Sequence, residues 1–167
     1  MLYKPDGAAG TGQARVERAA RAAPSHRAML ERRRGNQLLT AWKAARADLA
    51  FPSLAALQET ADPELFRHSM LLRVGARGAL TIERFGPPMP ATPASNGSAS
   101  LPVVTPLVVT WVLSVGSSAL RRRAPVTESD DVKIGARMLR YRCAVVPVSS
   151  DGAEVDALVG VLGYRWS

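Results

Sequence analysis

The C-terminal thirty residues constrain the fold more than any other part of the chain. Arg137 to Ser149 and Glu154 to Trp166 read as two long strands joined by Ser150-Asp151-Gly152-Ala153. Asp-Gly marks a hairpin because both central residues of the favoured turn take positive φ. A two-residue Asp151-Gly152 turn, or a four-residue loop closing Ser149 on Glu154, predicts one register. Val145 then faces Leu158, Cys143 faces Gly160, Tyr141 faces Leu162, and Leu139 faces Tyr164. Side chains alternate across a strand, so these residues share one aromatic and aliphatic face. The other face collects Arg140, Arg142, Val146, Val159, Val161 and Arg165. A one-residue slip would mix the two sets, so the first face is expected against the core and the second wetter.

The chain of 167 residues has the size of one domain, and its 47% hydrophobic content suffices for a core. One cysteine, Cys143, excludes an internal disulfide and makes a reducing cytoplasm the expected setting. The net charge of +8 is uneven. Residues 1–48 hold ten Lys/Arg against four Asp/Glu, and residues 49–167 hold twelve against ten. The basic character therefore belongs to an N-terminal arm rather than to the body, which argues against a folded nucleic-acid reader. No apolar stretch near Met1 suggests a secretory signal. Ala99 to Leu120 is uncharged and precedes Arg121-Arg122-Arg123, as a spanning helix would be. Pro102 and Pro106 interrupt it, so the expectation is a soluble protein in which Val103–Leu120 packs on the sheet.

Residues 1–34 read as a basic arm, partly helical or disordered, broken at Pro24 and dispensable for folding. The domain is expected over 35–167. Its first helix is expected to start at Asn36 as N-cap, with Leu38, Leu39, Trp42, Ala45, Arg46 and Leu49 on one stripe. Short turns of helix follow near Leu54–Leu57 and Pro63–Phe66. Ser69–Val74 and Ala79–Phe85 read as strands around a Gly75–Gly78 turn, and Gly86 to Ser100 as an irregular loop.

The run Arg140-Tyr-Arg-Cys-Ala-Val-Val-Pro-Val-Ser-Ser-Asp-Gly-Ala-Glu-Val-Asp-Ala-Leu-Val-Gly160 resembles the close of alphaproteobacterial stand-alone PAS-like proteins. Leu-Leu-Thr-Ala-Trp42 and His68-Ser-Met-Leu-Leu72 are similar to that family's Trp-containing helix and first strand. The resemblance spans about residues 36–166 and departs from the family between Phe85 and Pro102. It implies an α+β fold: a PAS-like antiparallel sheet of about five strands with helices packed on one face, preceded by the basic arm. It further implies a sensory or adaptor domain taking a small apolar ligand between helix and sheet, where Trp111, Val115, Leu139, Tyr141 and Cys143 would line the pocket. On the opposite sheet face Arg140, Arg142 and Arg165 would form an interface with a protein partner or a second copy. With no output module after Trp166, a partner in trans or a homodimer is expected to carry the signal.

Catalytic and metal signals are weak. His26 and His68 with one cysteine give no metal-ligand spacing. Ser114 and Ser117 lie in an apolar helix without a nucleophile elbow or base. Gly7-Ala-Ala-Gly-Thr-Gly12 follows no strand and lacks the Lys-Ser/Thr ending of a phosphate loop. Glu128, Asp130 and Asp131 read as a solvated surface turn. Cys143 reads as a small core residue, and the flavin-bonding motif of photoactive PAS relatives is absent, so the residues name no cofactor. The expectation is a non-enzyme; the rival class is a nucleic-acid or acidic-surface binder acting through the arm.

Overall fold

The computed structural model describes the backbone of residues 26–86, 104–134 and 136–167, and the side chains of 33–86, 106–133 and 136–167. Helix α1 (His26–Arg46) leads into two short helices, α2 (Leu54–Thr60) and α3 (Pro63–Arg67). Strands β1 (Ser69–Val74) and β2 (Leu80–Phe85) form a hairpin. Helix α4 (Val104–Arg122) connects to β3 (Val126–Ile134), β4 (Arg137–Val148) and β5 (Ala157–Trp166). One five-stranded sheet results, in the order β2-β1-β5-β4-β3, with every neighbouring pair antiparallel. The fold is α+β, as expected.

Strand alternation divides the sheet into two faces. One carries Met70, Leu72, Leu139, Tyr141, Cys143, Val145, Leu158 and Leu162, all buried. Helix α4 lies on it, turning Val108, Val112, Val115 and Ala119 inward at helical spacing. A Cβ built on Gly116 would stand 2.9 Å from Leu72 and 3.0 Å from Leu80, so glycine lets the helix sit close to the strands.

Helix α1 lies on the other face. A Cβ built on Gly35 would stand 3.4 Å from the Cβ of Ala144. Leu38 and Trp42 are buried in the same core as Val146, Val148, Val159 and Val161. The helices therefore cover both faces, not one, and the valines expected on a wetter face are sealed. At one end of that face Arg140 is exposed and Arg142 and Arg165 are half-buried.

Several expectations are corrected in detail. Asn36 is no N-cap, because α1 already runs from His26; it continues unbroken past residue 34. The helix stops at Arg46, where Ala47 takes φ +46, and Leu49 beyond it is 56% exposed. Residues 1–25, 87–103 and 135 lie outside the described residues, and with them most of the expected arm and the irregular loop expected after Gly86.

The hairpin pairs two residues out of the expected register. Val145 faces Gly160, Cys143 faces Leu162, Tyr141 faces Tyr164 and Leu139 faces Trp166. The ladder closes at Val148–Ala157; Ser149 N turns away to Pro52 O at 3.0 Å, and the carboxylates of the loop bond its own N–H groups. Asp151 Oδ1 accepts from Ser149 Oγ (2.7 Å), Ala153 N (2.8 Å) and Glu154 N (2.9 Å). Asp156 accepts Ser150 N at 2.8 Å. Carboxylates that bond nearby backbone groups compete with a ladder. A shift of two preserves both faces.

Glu128, Asp130 and Asp131 lie in β3, the strand beside β4, and not in a turn. As an edge strand with a single neighbour, β3 tolerates acidic side chains that blunt its free side. At the other edge β2 carries a bulge: Leu71 faces Arg84 and Leu72 faces Ile82, leaving Glu83 as the extra residue. Glu83 pairs with Arg73 across the hairpin.

Candidate functional site

Three places come from the residues upward: the layer under α4, the arginine end of the opposite face, and a groove beside α1.

The five residues expected to line a pocket do meet under α4. Val115, Leu139 and Cys143 have no exposure, and Tyr141 retains 7%. Trp111 meets the Tyr141 ring edge-on, with centroids 4.6 Å apart at 78°. The Tyr141 hydroxyl lies 3.5 Å from Asp130 Oδ2. Burial, then the Asp130 charge, raises the Tyr141 pKa. Burial, with Glu128 nearby, pushes the Cys143 thiol well above its ordinary value, so it stays protonated.

An open groove of about 610 Å³ lies elsewhere, between α1 and the α2–α3 junction. Its α1 wall is one helical face, Arg33, Asn36, Gln37, Thr40, Ala41 and Ala44. The opposite wall is Thr60, Ala61, Asp62 and Leu65. The junction is held by its caps. Ser53 Oγ accepts Ala56 N at 3.1 Å to start α2, and Asp62 Oδ1 accepts Glu64 N at 2.8 Å to start α3 behind Pro63. Leu57 and Phe66 anchor both helices in the core. The floor is small and apolar, and the rim offers a guanidinium, two amides, two hydroxyls and the Asp62 carboxylate. No described residue bonds the side chains of Arg33, Asn36, Gln37 or Thr40. The concavity has the size of small-molecule sites, roughly 300–1,000 Å³.

The sequence reading missed this groove. Its only trace along the chain is the spacing Arg33-Gln37-Thr40-Ala44, which identifies a helix face but not what stands opposite it.

No family model matches the chain, and no curated protein matches it. Among solved structures, the ligand-binding domain of a Pseudomonas aeruginosa amino-acid chemoreceptor, in complex with GABA, aligns at a TM-score of 0.30 and 14% identity. The alignment covers 81% of this chain and 58% of that one. The chain thus spans less than two thirds of that domain's length.

The remaining chemical groups are dispersed. His68 Nε2 lies 3.0 Å from Glu64 Oε1, and Glu64 also bonds Arg67, at the end of α3 where Glu64 and Arg67 are exposed and His68 is half-buried. Among the described residues no group of three or more His, Cys, Asp or Glu is placed to hold a metal ion, and no helix is long and apolar enough to cross a membrane. On the α1 face, Arg140 and Arg165 stand directly opposite each other, with Arg142 two residues along. The three arginines expected at an interface are therefore brought together on one sheet face.

Proposed function

We propose that this chain is a cytoplasmic sensory or adaptor domain of the PAS-like type, a binding module rather than an enzyme. A small, mainly apolar ligand occupies the groove between α1 and the α2–α3 junction. The response passes to a protein partner or a second copy at the sheet face beside α1. The observation that supports this reading is that α1 serves both places. Its one side walls the groove with Gln37, Thr40 and Ala44, and its other side lies on β4 and β5 through Gly35, Leu38 and Trp42. A ligand that changes how α1 is seated changes the adjoining sheet surface, which is the differential contact a switch needs.

Native mass spectrometry of the freshly purified full chain tests the reading. The expected result is a reproducible small-molecule adduct that Ala44→Trp removes while the melting transition persists, since Ala44 is exposed and Trp fills the groove. An adduct unchanged by Ala44→Trp would move the ligand elsewhere. Absence of any adduct, with salt-sensitive retention on nucleic acid, would favour the rival class.

A further inference from the structure

The arginine end of the α1 sheet face carries positive charge that, among the described residues, is met by a single acid. Arg140 and Arg165 are cross-strand partners, an arrangement in which like charges repel. Arg142 follows on the same face, paired across the ladder with Gly163. From α1, Arg34 and Gly35 close over this spot, forming a small cleft with Arg142, Ala144 and Gly163.

Against these four arginines the described residues set one acid, Asp131, whose Oδ2 lies 3.7 Å from Arg140 Nε. No described carboxylate pairs with Arg34, Arg142 or Arg165. By sequence alone, the side chains outside the described residues are basic on balance. They include Lys4, Arg15, Arg18, Arg21, Arg27 and Arg32 against Asp6, Glu17 and Glu31.

We infer that this face, formed by Arg34, Arg140, Arg142 and Arg165, is a docking surface for an acidic segment of another protein, held by bidentate guanidinium–carboxylate pairs. Like charges gathered on one sheet face repel unless an opposite charge completes them, and arginine's planar fork matches carboxylate geometry. A second copy fits poorly. A two-fold contact through this patch would set the arginines against themselves. A single-stranded nucleic acid fits poorly as well, because base stacking needs exposed rings. Strand alternation puts Tyr141, Tyr164 and Trp166 on the α4 face, away from the arginines. The inference does not depend on the groove being occupied.

The test uses the full chain at fixed low salt, with soluble poly-L-glutamate as the probe. Replacing Arg142 and Arg165 together by Gln is expected to weaken binding by about tenfold or more. Replacing Arg121 and Arg122 by Gln removes the same charge from the last turn of α4 and is expected to change binding by less than about twofold. A mixed-sequence single-stranded DNA of matched charge is expected to bind more weakly than the polypeptide. Equal losses for the two double variants would overturn the proposal. So would tighter binding of the DNA with the same dependence on Arg142 and Arg165. A dimer in sedimentation that only the Arg142/Arg165 variant abolishes would assign the face to a second copy and overturn it too. If that variant does not melt cooperatively, Arg140→Gln gives the same comparison at a side chain that is 52% exposed. A loss of about threefold is then expected, and no loss would sink the idea.

Discussion

The indole N–H of Trp42 donates to the carbonyl of Pro147 across 2.6 Å, joining α1 to β4 over 105 residues of sequence. Strand β3 begins at Val126 opposite Val145, so it does not reach Pro147. Proline there gives up no ladder donor on that side, and its carbonyl is left for the tryptophan. The bond fixes the height at which α1 crosses the sheet, while Arg46 stacks over the same indole at 5.3 Å.

Trp42→Phe should keep most of the packing but leave the Pro147 carbonyl unpaired. A loss of about 1–3 kcal/mol is expected in urea denaturation, with an unchanged m-value. A variant as stable as the parent would show that the bond contributes nothing net.

Gly86→Ala is expected to be severe for a different reason. A Cβ there would stand 2.5 Å from the carbonyl oxygen of Arg67 and 2.6 Å from that of Ser69. Both are backbone atoms, and Gly86 N already bonds Ser69 O at 3.0 Å, so neither side yields cheaply. A cost of about 2 kcal/mol or more is expected, compared with well under half of that for Gly75→Ala, where the built Cβ meets its nearest atom at an ordinary 3.5 Å. Comparable midpoints for the two variants would contradict the geometry.

Asp151 is held near a pKa of about 2, first by the Glu154 backbone N–H, then by the Ser149 hydroxyl and the Ala153 N–H. A depressed folded-state value means that the carboxylate stabilises the fold at pH above the ordinary range near 4. That contribution is lost as pH falls toward 2. Asp151→Asn should therefore melt below the parent at pH 7, and the two curves should converge at about pH 2. A gap that persists at acid pH would mean that Asp151 acts other than through its charge.

Cys143 should resist alkylation in the folded protein and react only as fast as the sheet opens. Iodoacetamide labelling followed by mass spectrometry, with and without urea, checks this. Fast native labelling would require the layer between Val115 and Leu139 to breathe.

The division of β4 and β5 into two faces was legible, because Leu139, Tyr141, Cys143 and Val145 alternate with arginine and small residues. The β1–β2 hairpin and the inward stripe of α4 were legible for similar reasons of period. The length of the last loop was not, because it depends on where the Asp151 and Asp156 carboxylates find backbone N–H groups. Strand β3 hid behind its acids, which are permitted only because one side of it faces water. The contact side of α1 was faint because Gly35 packs against Ala144 by being small, and small residues give little hydrophobic period. The groove joins residues 33–44 to 60–65, a meeting that no local pattern announces.

The two-residue offset between the expected and observed hairpins has a consequence for how this chain can vary in length. Changes within residues 149–156 fall outside the ladder and leave every side chain on its own side. Deleting one residue within β5, such as Val159, would instead turn Arg165 toward α4 and send Tyr164 and Trp166 toward the arginines. Insertions and deletions should thus be tolerated in the loop and lethal to folding a few residues further on.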